Sequence, residues 1–213
     1  LAFPAVRAAI TRFLPPFGVS EAEMDSRKVS LFCYPHAPVA KQLAAWADGG
    51  RPVTCMVPEG VAREAVQDFL GGVPAVAGAF ATRGALTLRV LPFVPQPDYD
   101  RLLWACDLNF VRGEDSFVRA QWAGRPFVWH IYPQDEDLHH KKLRAFLGRY
   151  AAGLDELATF SLGWNGACEI GSWPQAWQDL QASLPRIANR AEEWRCEVLA
   201  HGDLTTKLLE FAR

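Results

Sequence analysis

The chain has 213 residues, half of them hydrophobic, and a formal net charge of −2. This length and composition fit one α/β domain, or one domain with appended helices, and they permit a sizeable core. The near-neutral charge gives no global electrostatic attraction to nucleic acid or to a membrane surface. No apolar run reaches the length of a membrane span, and the N-terminus lacks the layout of a signal peptide, so we expect a cytoplasmic protein.

The five cysteines agree with that location. They are odd in number and widely spaced, and three of them fall in apolar segments. This pattern favours buried, reduced thiols over a disulfide framework or a metal site.

The chain opens on a helical pattern, Leu1–Leu14, which Pro15 and Pro16 stop. Because no strand precedes this helix, we expect residues 1–27 to be a connector helix and loop that lead from a preceding domain. Five strands are predicted after it, each an apolar run bounded by turn residues: Lys28–Tyr34, Pro52–Val57, Leu86–Leu91, Leu108–Val111 and Phe127–Ile131. Helices are predicted between the strands at Ala40–Ala47, Val61–Leu70, Asp98–Ala105 and Asp115–Ala123, with a loop at Val73–Gly84. Strands that alternate with helices at this spacing indicate right-handed crossovers and a parallel sheet.

After Pro133 the strand patterns stop and helical patterns follow. The predicted helices are Asp135–Tyr150, Leu154–Leu162, Trp173–Leu184, Arg186–Leu199 and Leu204–Ala212. Residues 28–213 are therefore expected to form one domain with a helical C-terminal extension. Tryptophans on the helical faces are predicted to lie in the core, namely Trp104, Trp122, Trp177 and Trp194.

The segment with the clearest chemistry is the run Arg112–Ser116, which joins the fourth strand to a helix. A strand-to-helix turn exposes the free N–H groups of a helix N-terminus, and these groups can bind an anion. Gly113 would allow a close approach to a ligand or a positive φ. Asp115 or Ser116 can cap the helix.

Two carboxylates beside a proposed anion site need an explanation. If a phosphate binds there, backbone amides and the Ser116 hydroxyl must hold it, and Arg112 supplies counter-charge. Glu114 and Asp115 must then point elsewhere or accept hydrogen bonds from sugar hydroxyls. The alternative is a surface ion pair between Arg112 and Glu114 with an ordinary N-cap, and the residues alone leave both interpretations open.

Other polar and aromatic residues follow strands of the same predicted sheet. Tyr34 ends the first strand, and Phe93 and Gln96 follow the third. Ligands of parallel sheets bind beyond the carboxyl ends of the strands, so these residues are expected to meet Arg112–Ser116 at one edge. Phe93 could stack on a base whose edge the Gln96 amide reads. The alternative is a phenylalanine tucked under its own loop.

The run Asp135–Asp137 with His139 and His140 has the residue types of a metal site. We predict no metal there, because acidic residues in a first helical turn oppose the helix dipole and need no ion. The chain also lacks a G-x-G-x-x-G pattern, a P-loop and a nucleophile elbow. An ordinary dinucleotide dehydrogenase and a phosphate-loop NTPase are therefore disfavoured.

The segment Leu91–Asp137 reads LPFVPQPDYDRLLWACDLNFVRGEDSFVRAQWAGRPFVWHIYPQDED. It closely resembles the C-terminal half of the bacterial elongation factor P arginine rhamnosyltransferases, the EarP family. The resemblance implies the Rossmann-like C-terminal domain of a GT-B glycosyltransferase, which binds the donor dTDP-β-L-rhamnose. It also implies an inverting transfer of rhamnose to an arginine of elongation factor P, with no cofactor and no metal.

The resemblance also suggests roles for individual residues. Phe93 matches the thymine-stacking aromatic of the family and Gln96 its thymine-reading amide, while Tyr34 matches a tyrosine near the diphosphate. Within the matching run Arg112–Ser116, which includes Gly113, the resemblance implies that Asp115 and Ser116 contact the diphosphate. It further implies that Glu114 is a functionally important carboxylate with a supporting catalytic role.

One family feature is missing from this sequence. The family's N-terminal domain carries an aspartate-bearing segment of the type DNFGDIGV, which supplies the expected general base and docks the acceptor. We therefore expect this chain to bind the donor without efficient turnover and to meet elongation factor P mainly through the absent domain. The alternative is a nucleotide-diphosphate-sugar binding or interaction module of another GT-B type protein, without catalysis of its own.

Overall fold

The computed structural model describes residues 12–211, and the helix predicted at Leu1–Leu14 lies almost wholly outside that range. The described chain contains one six-stranded sheet with the strand order β3-β4-β2-β1-β5-β6. Its strands are β1 Arg27–Leu31, β2 Val53–Pro58, β3 Phe80–Arg83, β4 Leu86–Leu91, β5 Leu108–Arg112 and β6 Phe127–His130. All neighbouring pairs are parallel except β3 with β4. The predicted parallel sheet with flanking helices is confirmed.

The helices begin and end close to the predicted positions in most cases. They are α1 Glu21–Met24, α2 Val39–Ala47, α3 Arg63–Phe69, α4 Gln96–Ala105, α5 Asp115–Ala123, α6 Leu138–Tyr150, α7 Asp155–Trp164, α8 Trp173–Ala200 and α9 Leu204–Phe211. Two short 3₁₀ turns, Pro15–Phe17 and Asp135–Asp137, complete the described elements. No helix among residues 12–211 is both long and apolar enough to cross a membrane.

The strand order creates a crevice between β1 and β5. The chain runs outward from β1 through β2 to β4 and then returns to the other side of β1 to form β5 and β6. Loops that leave the carboxyl ends of β1 and β5 therefore diverge, and such a switch point is where ligands of open α/β sheets bind. The pairing of these two strands includes a buried side-chain bond, because Ser30 Oγ donates to Asn109 Oδ1 at 2.6 Å.

One strand was not predicted. The stretch Val73–Gly84 was predicted to be a loop, but its last part forms β3, which pairs antiparallel with β4 in the register Thr82↔Thr87. Gly84 adopts a φ of +53° in the short connection, where an added Cβ would clash with the Ala47 carbonyl oxygen. A tight hairpin needs this glycine. The Ala- and Gly-rich composition hid a strand that lies at the edge of the sheet.

The C-terminal extension contains the second correction. Two helices were predicted on either side of Pro185, but α8 continues through this proline from Trp173 to Ala200. Proline removes one helical hydrogen bond, yet packing on both sides of it offsets that loss. The buried residues along α8 include Trp177, Leu180, Leu184, Ile187 and Trp194.

The core confirms the thiol prediction and corrects part of the tryptophan prediction. All five cysteines are free, and Cys33, Cys55 and Cys106 are buried. Trp177 and Trp194 lie in the core, as predicted. Trp104 and Trp122 are about half exposed on α4 and α5, so their prediction as core residues is wrong. Helical spacing assigns each tryptophan to one face of its own helix but does not identify which face is covered by the rest of the protein.

Candidate functional site

The turn between β5 and α5, residues Arg112–Ser116, lies at the switch point and is held from β6. Gly113 has a φ of +63°, which is one of the two uses predicted for this glycine. Its N–H donates to the His130 carbonyl at 3.2 Å, and its carbonyl accepts from Trp129 Nε1 at 2.8 Å. Both backbone polar groups of Gly113, its N–H and its carbonyl, are therefore fixed by the neighbouring strand.

The N-terminus of α5 offers free backbone donors. Within residues 12–211, the amides of Asp115, Ser116 and Phe117 have no hydrogen-bond acceptor, as expected for a first helical turn. The first helical bond of α5 is that of Val118 N to the Glu114 carbonyl at 3.0 Å. Free N–H groups and the positive end of the helix dipole favour an anion at this position.

Neither predicted cap is formed. Ser116 is buried, and its Oγ donates to the Arg112 carbonyl and accepts from the Arg112 amide at 3.1 Å, so the hydroxyl closes the end of β5. Asp115 accepts from Arg119 Nε at 2.9 Å. Glu114 occupies the N-cap position without a side-chain cap bond. The prediction that Asp115 or Ser116 caps α5 is wrong, because each side chain has a closer partner.

These contacts answer the question raised by the two carboxylates. The Asp115 carboxylate faces Arg119, whose guanidinium also binds Asp100 of α4 at 3.0 Å. The Asp115 carboxylate is thus neutralised by Arg119. Glu114 is exposed, and no carboxylate lies within ion-pair distance of Arg112 in the described part of the chain. The alternative of an Arg112–Glu114 surface ion pair is therefore not the arrangement found.

The Arg112 guanidinium is fixed over the loop that follows β1. Its Nη1 donates to the Cys33 carbonyl at 3.2 Å. Its central carbon lies 4.2 Å from the ring centroid of Phe32 and 5.1 Å from that of Tyr34. Two aromatic faces and one hydrogen bond hold the guanidinium in one orientation, with further N–H donors remaining for an anion.

Tyr34 was predicted to end the first strand, but β1 ends at Leu31, so Tyr34 lies in the loop that follows and connects that loop to the turn. A Cβ added at Gly113 would lie 2.8 Å from the Tyr34 hydroxyl, so the two residues are in close contact. Burial raises the pKa of the Tyr34 hydroxyl, which stays protonated at neutral pH. The structure thus brings three of the predicted site residues together: Tyr34, Arg112 and Gly113.

A buried histidine fixes the same loop from β6. His130 is 0% exposed. Its Nδ1 accepts from the Tyr34 amide at 3.2 Å, and its Nε2 lies 2.8 Å from Nε2 of His36. Burial, with further contributions from His36 and Arg112, lowers the pKa of His130 to about 3. The imidazole is therefore neutral, and because Nδ1 accepts, the hydrogen lies on Nε2.

Phe93 and Gln96 lie at the same edge of the sheet without a protein contact to the turn. Phe93 is 91% exposed, which excludes a ring tucked under its own loop. Gln96 is the exposed first residue of α4 rather than a loop residue. The link to the turn is α4 itself, because Asp100 binds Arg119 of α5 at 3.0 Å. The base-binding roles of both residues stay predictions.

The histidines near the start of α6 have partners that disfavour a metal. Ligand atoms of Asp137, His139 and His140 lie within 4.8 Å of one another. However, His139 Nδ1 accepts from the Gln134 amide at 3.2 Å, which leaves the hydrogen of a neutral ring on Nε2. One imidazole and one carboxylate then remain, fewer than the three protein ligands of a usual zinc site. The absence of a metal stays a prediction.

The helix predicted to begin at Asp135 begins at Leu138. Glu136 and Asp137 have φ values of +55° and +54°, so the acidic run forms a separate turn and lies ahead of the first helical turn. The proposed interaction of these carboxylates with the helix dipole is therefore weaker than expected.

Several residues that build the site were not found from the sequence. They are Phe32, His36, Trp129 and His130, which contact Arg112–Ser116 or Tyr34. His130 and Trp129 lie in a strand predicted to be apolar core, and a parallel register of Arg112 opposite His130 brings them to the turn. The sequence did offer one signal for these residues, namely a histidine near the end of a strand at the edge of the sheet where a ligand was expected.

Comparison with known proteins gives consistent matches. A family model described as Elongation-Factor P (EF-P) rhamnosyltransferase EarP matches residues 2–213. The chain is 44% identical over 214 residues to a protein-arginine rhamnosyltransferase of Pseudomonas aeruginosa, covering 98% of this chain and 56% of that protein. The corresponding Pseudomonas putida protein is 45% identical over 190 residues, covering 87% and 50%. The chain thus spans about half the length of the curated relatives it matches.

A solved structure also matches closely. It is described as "Structural basis for EarP-mediated arginine glycosylation of translation elongation factor EF-P", and it superposes with a TM-score of 0.83 at 40% identity. The match covers 97% of this chain and 66% of that chain. Together with the strand order, this likeness confirms the predicted Rossmann-like domain with a helical extension. The family match and the sequence identities show that the chain belongs to the EarP family of elongation factor P rhamnosyltransferases.

Proposed function

We propose that this chain is the donor-binding domain of an inverting protein-arginine rhamnosyltransferase that modifies elongation factor P. The donor is dTDP-β-L-rhamnose, which binds at the switch point between β1 and β5 without a metal. The relatives named protein-arginine rhamnosyltransferase support this activity for the whole protein. The acceptor is an arginine of elongation factor P, which meets the protein mainly through a further domain.

The observation that carries the proposal is the arrangement of donors around the turn. Free amides of Asp115 and Ser116 open α5, and the guanidinium of Arg112, a residue of the same turn, is held by Phe32 and Tyr34. The side chains of Asp115 and Ser116 already have protein partners, so both residues contact the diphosphate through backbone N–H groups. This arrangement suits a doubly charged phosphate group and needs no rearrangement of the turn.

The same groups explain how departure of dTDP is assisted. Direct displacement at the anomeric carbon builds negative charge on the departing diphosphate. Preorganised amide dipoles and one fixed guanidinium stabilise that charge. The acceptor guanidinium is a poor nucleophile because it stays protonated, so a carboxylate must orient it and take its proton. Glu114 is exposed at the mouth of the turn and is proposed to support the site by binding sugar or ribose hydroxyls.

Calorimetric titration of the chain with dTDP, UDP and GDP tests the donor. We expect dTDP to bind more tightly than UDP and GDP, because the loop around Phe93 and Gln96 is proposed to bind a pyrimidine and the family donor carries thymine. Equal binding of the three nucleotides, or none, would remove the proposed donor.

Turnover is tested separately by mixing the chain with elongation factor P and dTDP-rhamnose, and by detecting rhamnosylated peptide by mass spectrometry. We expect little or no product, because the proposed proton acceptor lies in another domain. Donor binding without turnover fits the proposal, and it also fits the alternative of a nucleotide-sugar binding module of another GT-B type protein. A dTDP preference favours the first of these two. Robust turnover would show that this chain contains the whole catalytic site.

A further inference from the structure

The strongest feature outside the proposed donor contacts is the pair His130 and His36. His130 ends β6, whereas Tyr34 and His36 follow β1, and β5 lies between these two strands. His130 pairs with Arg112 of β5, and its ring reaches across the carboxyl end of β5 to the Tyr34 amide. Its bond to the Tyr34 amide connects the two loops on either side of the turn.

Both ring nitrogens of His130 are engaged. Nδ1 accepts from the Tyr34 amide at 3.2 Å and Nε2 lies 2.8 Å from His36 Nε2. The rings of His130 and His36 meet edge to face with centroids 4.4 Å apart, and Tyr34 meets His130 in the same way at 5.4 Å. A buried, neutral ring with no free nitrogen cannot act as a general base or ligate an ion. Its remaining capacity is to fix the position of its neighbours.

Those neighbours determine the shape of the proposed anion site. Tyr34 covers one face of the Arg112 guanidinium, with 5.1 Å between the ring centroid and the central carbon. Its hydroxyl also lies against Gly113. A shift of the Tyr34 backbone would therefore move the arginine and loosen the turn together. The bond from His130 is the contact that ties this backbone to β6.

We propose that His130 is a positioning residue for nucleotide-diphosphate binding, which acts by holding the Tyr34 backbone through Nδ1 while His36 fixes its tautomer. This inference rests on the proposed donor site. His36 accepts the Nε2 hydrogen, so the tautomer that leaves Nδ1 as an acceptor is the one retained. The role is distinct from contact with the donor, because His130 is fully buried.

The test compares two substitutions of equal size at position 130. In His130→Asn, the side-chain oxygen occupies the place of Nδ1 and keeps an acceptor for the Tyr34 amide. In His130→Leu, the acceptor is absent. Calorimetric titration with dTDP is expected to show His130→Asn within about 2-fold of the unchanged chain and His130→Leu weaker by about 5- to 10-fold, the effect of one lost hydrogen bond. Thermal melting of both variants reports whether the fold is retained.

A third variant keeps the test decisive if His130→Leu does not fold. His130→Gln is polar and places its amide near Nε2 rather than Nδ1, so it is expected to bind dTDP about 5-fold more weakly than His130→Asn. Equal affinity of the Asn and Gln variants, or unchanged affinity in a folded His130→Leu, would overturn the positioning role alone. If the chain without any substitution binds no dTDP, that result would instead overturn the proposed donor site, and the positioning role of His130 with it.

The arrangement can also be observed without a nucleotide. Long-range ¹H–¹⁵N spectra of the imidazoles are expected to show His130 with hydrogen on Nε2 and no titration between pH 8 and 5, about the range in which a free histidine titrates. The groups that face this ring are Tyr34, His36, His139 and Arg112. A His130 signal with hydrogen on Nδ1, or one that titrates near neutral pH, would contradict the bond from the Tyr34 amide to His130 Nδ1.

Discussion

The two halves of the proposed donor site differ in how far the protein alone determines their shape. The turn Arg112–Ser116 is held by β6, by the β1 loop and by its own buried serine. The loop Pro92–Pro95, by contrast, carries a phenylalanine that is 91% exposed and has no ring partner in the described chain. One half is preorganised, whereas the aromatic ring of the other half has no protein partner in the described chain.

This difference separates two kinds of contribution to affinity. A preorganised anion site binds without an ordering cost, because its donors already point in fixed directions. An exposed aromatic ring adds stacking energy but does not stabilise the free protein. Substitutions in the turn should therefore change both folding stability and binding, whereas substitutions in the loop should change binding alone.

The largest effect is expected for Gly113→Ala. Alanine at a φ of +63° is strained by about 1–2 kcal/mol, and its Cβ would lie 2.8 Å from the Tyr34 hydroxyl. Either Tyr34 or the turn must move, and two displaced amide donors to a charged phosphate, at about 1.5–3 kcal/mol each, would together cost at least about 100-fold in affinity. We expect a lower melting temperature and a loss of at least about 100-fold in dTDP affinity by calorimetry.

Gly153→Ala is the matched control for this change. Gly153 has a φ of +74° but no heavy atom within 4 Å of the added Cβ, and it lies between α6 and α7. It should lower the melting temperature by strain alone and leave dTDP affinity unchanged. If Gly113→Ala behaved like the control, the contact between Tyr34 and the turn would not matter for binding.

The next effect in size is expected for Arg112→Met. Methionine keeps an apolar stem beside Phe32 but removes the charge and the donor to the Cys33 carbonyl. Charge-assisted bonds contribute about 1.5–3 kcal/mol, so dTDP affinity should fall by about 10- to 150-fold. Arg112→Lys should be intermediate, because an ammonium keeps the charge without the planar stacking. Equal binding by the Lys variant and the unchanged chain would mean that charge alone suffices.

The sequence predicted the preorganised half well in outline. The five parallel strands follow from apolar runs bounded by turn residues, and their alternation with helices identified the edge at which Tyr34 and Arg112–Ser116 meet. The sequence also offered a positive φ as one of two uses of Gly113, and the structure shows it. These features depend on local pattern and chirality, which one sequence contains.

Contacts between distant segments did not follow from the sequence. The bonds of Trp129 and His130 to the turn depend on a register between β5 and β6 that no local pattern states. Asn165 likewise completes the outer edge of β6, accepting from the Ile131 amide at 3.0 Å and donating to the Trp129 carbonyl at 2.8 Å. The Asn165 side chain thus bonds to backbone groups that a further strand would otherwise pair with. Nothing in the residues around Asn165 indicates this role.

For the exposed half, Phe93→Ala tests binding without a change in stability. Loss of base stacking costs about 1–3 kcal/mol, so dTDP affinity should fall by about 5- to 150-fold while the melting temperature stays the same. Phe211→Ala is the matched control, because Phe211 is 92% exposed and lies in α9. Unchanged affinity in Phe93→Ala would place the base elsewhere. A lower melting temperature would show that the loop is part of the folded core after all.

The smallest effect is expected for Gln96→Leu, which removes the amide at the start of α4. Loss of neutral hydrogen bonds should weaken dTDP binding by about 2- to 10-fold. Gln178→Leu, at an exposed position of α8, should have no effect. Thymine and uracil present the same carbonyl groups and the same N–H on their pairing edge and differ in one methyl group. The amide can therefore form hydrogen bonds to that edge but cannot detect the methyl group. Gln96→Leu should then weaken the binding of dTDP and the binding of UDP by the same factor. A changed ratio of the two affinities would mean that this side chain contacts the methyl side of the base instead.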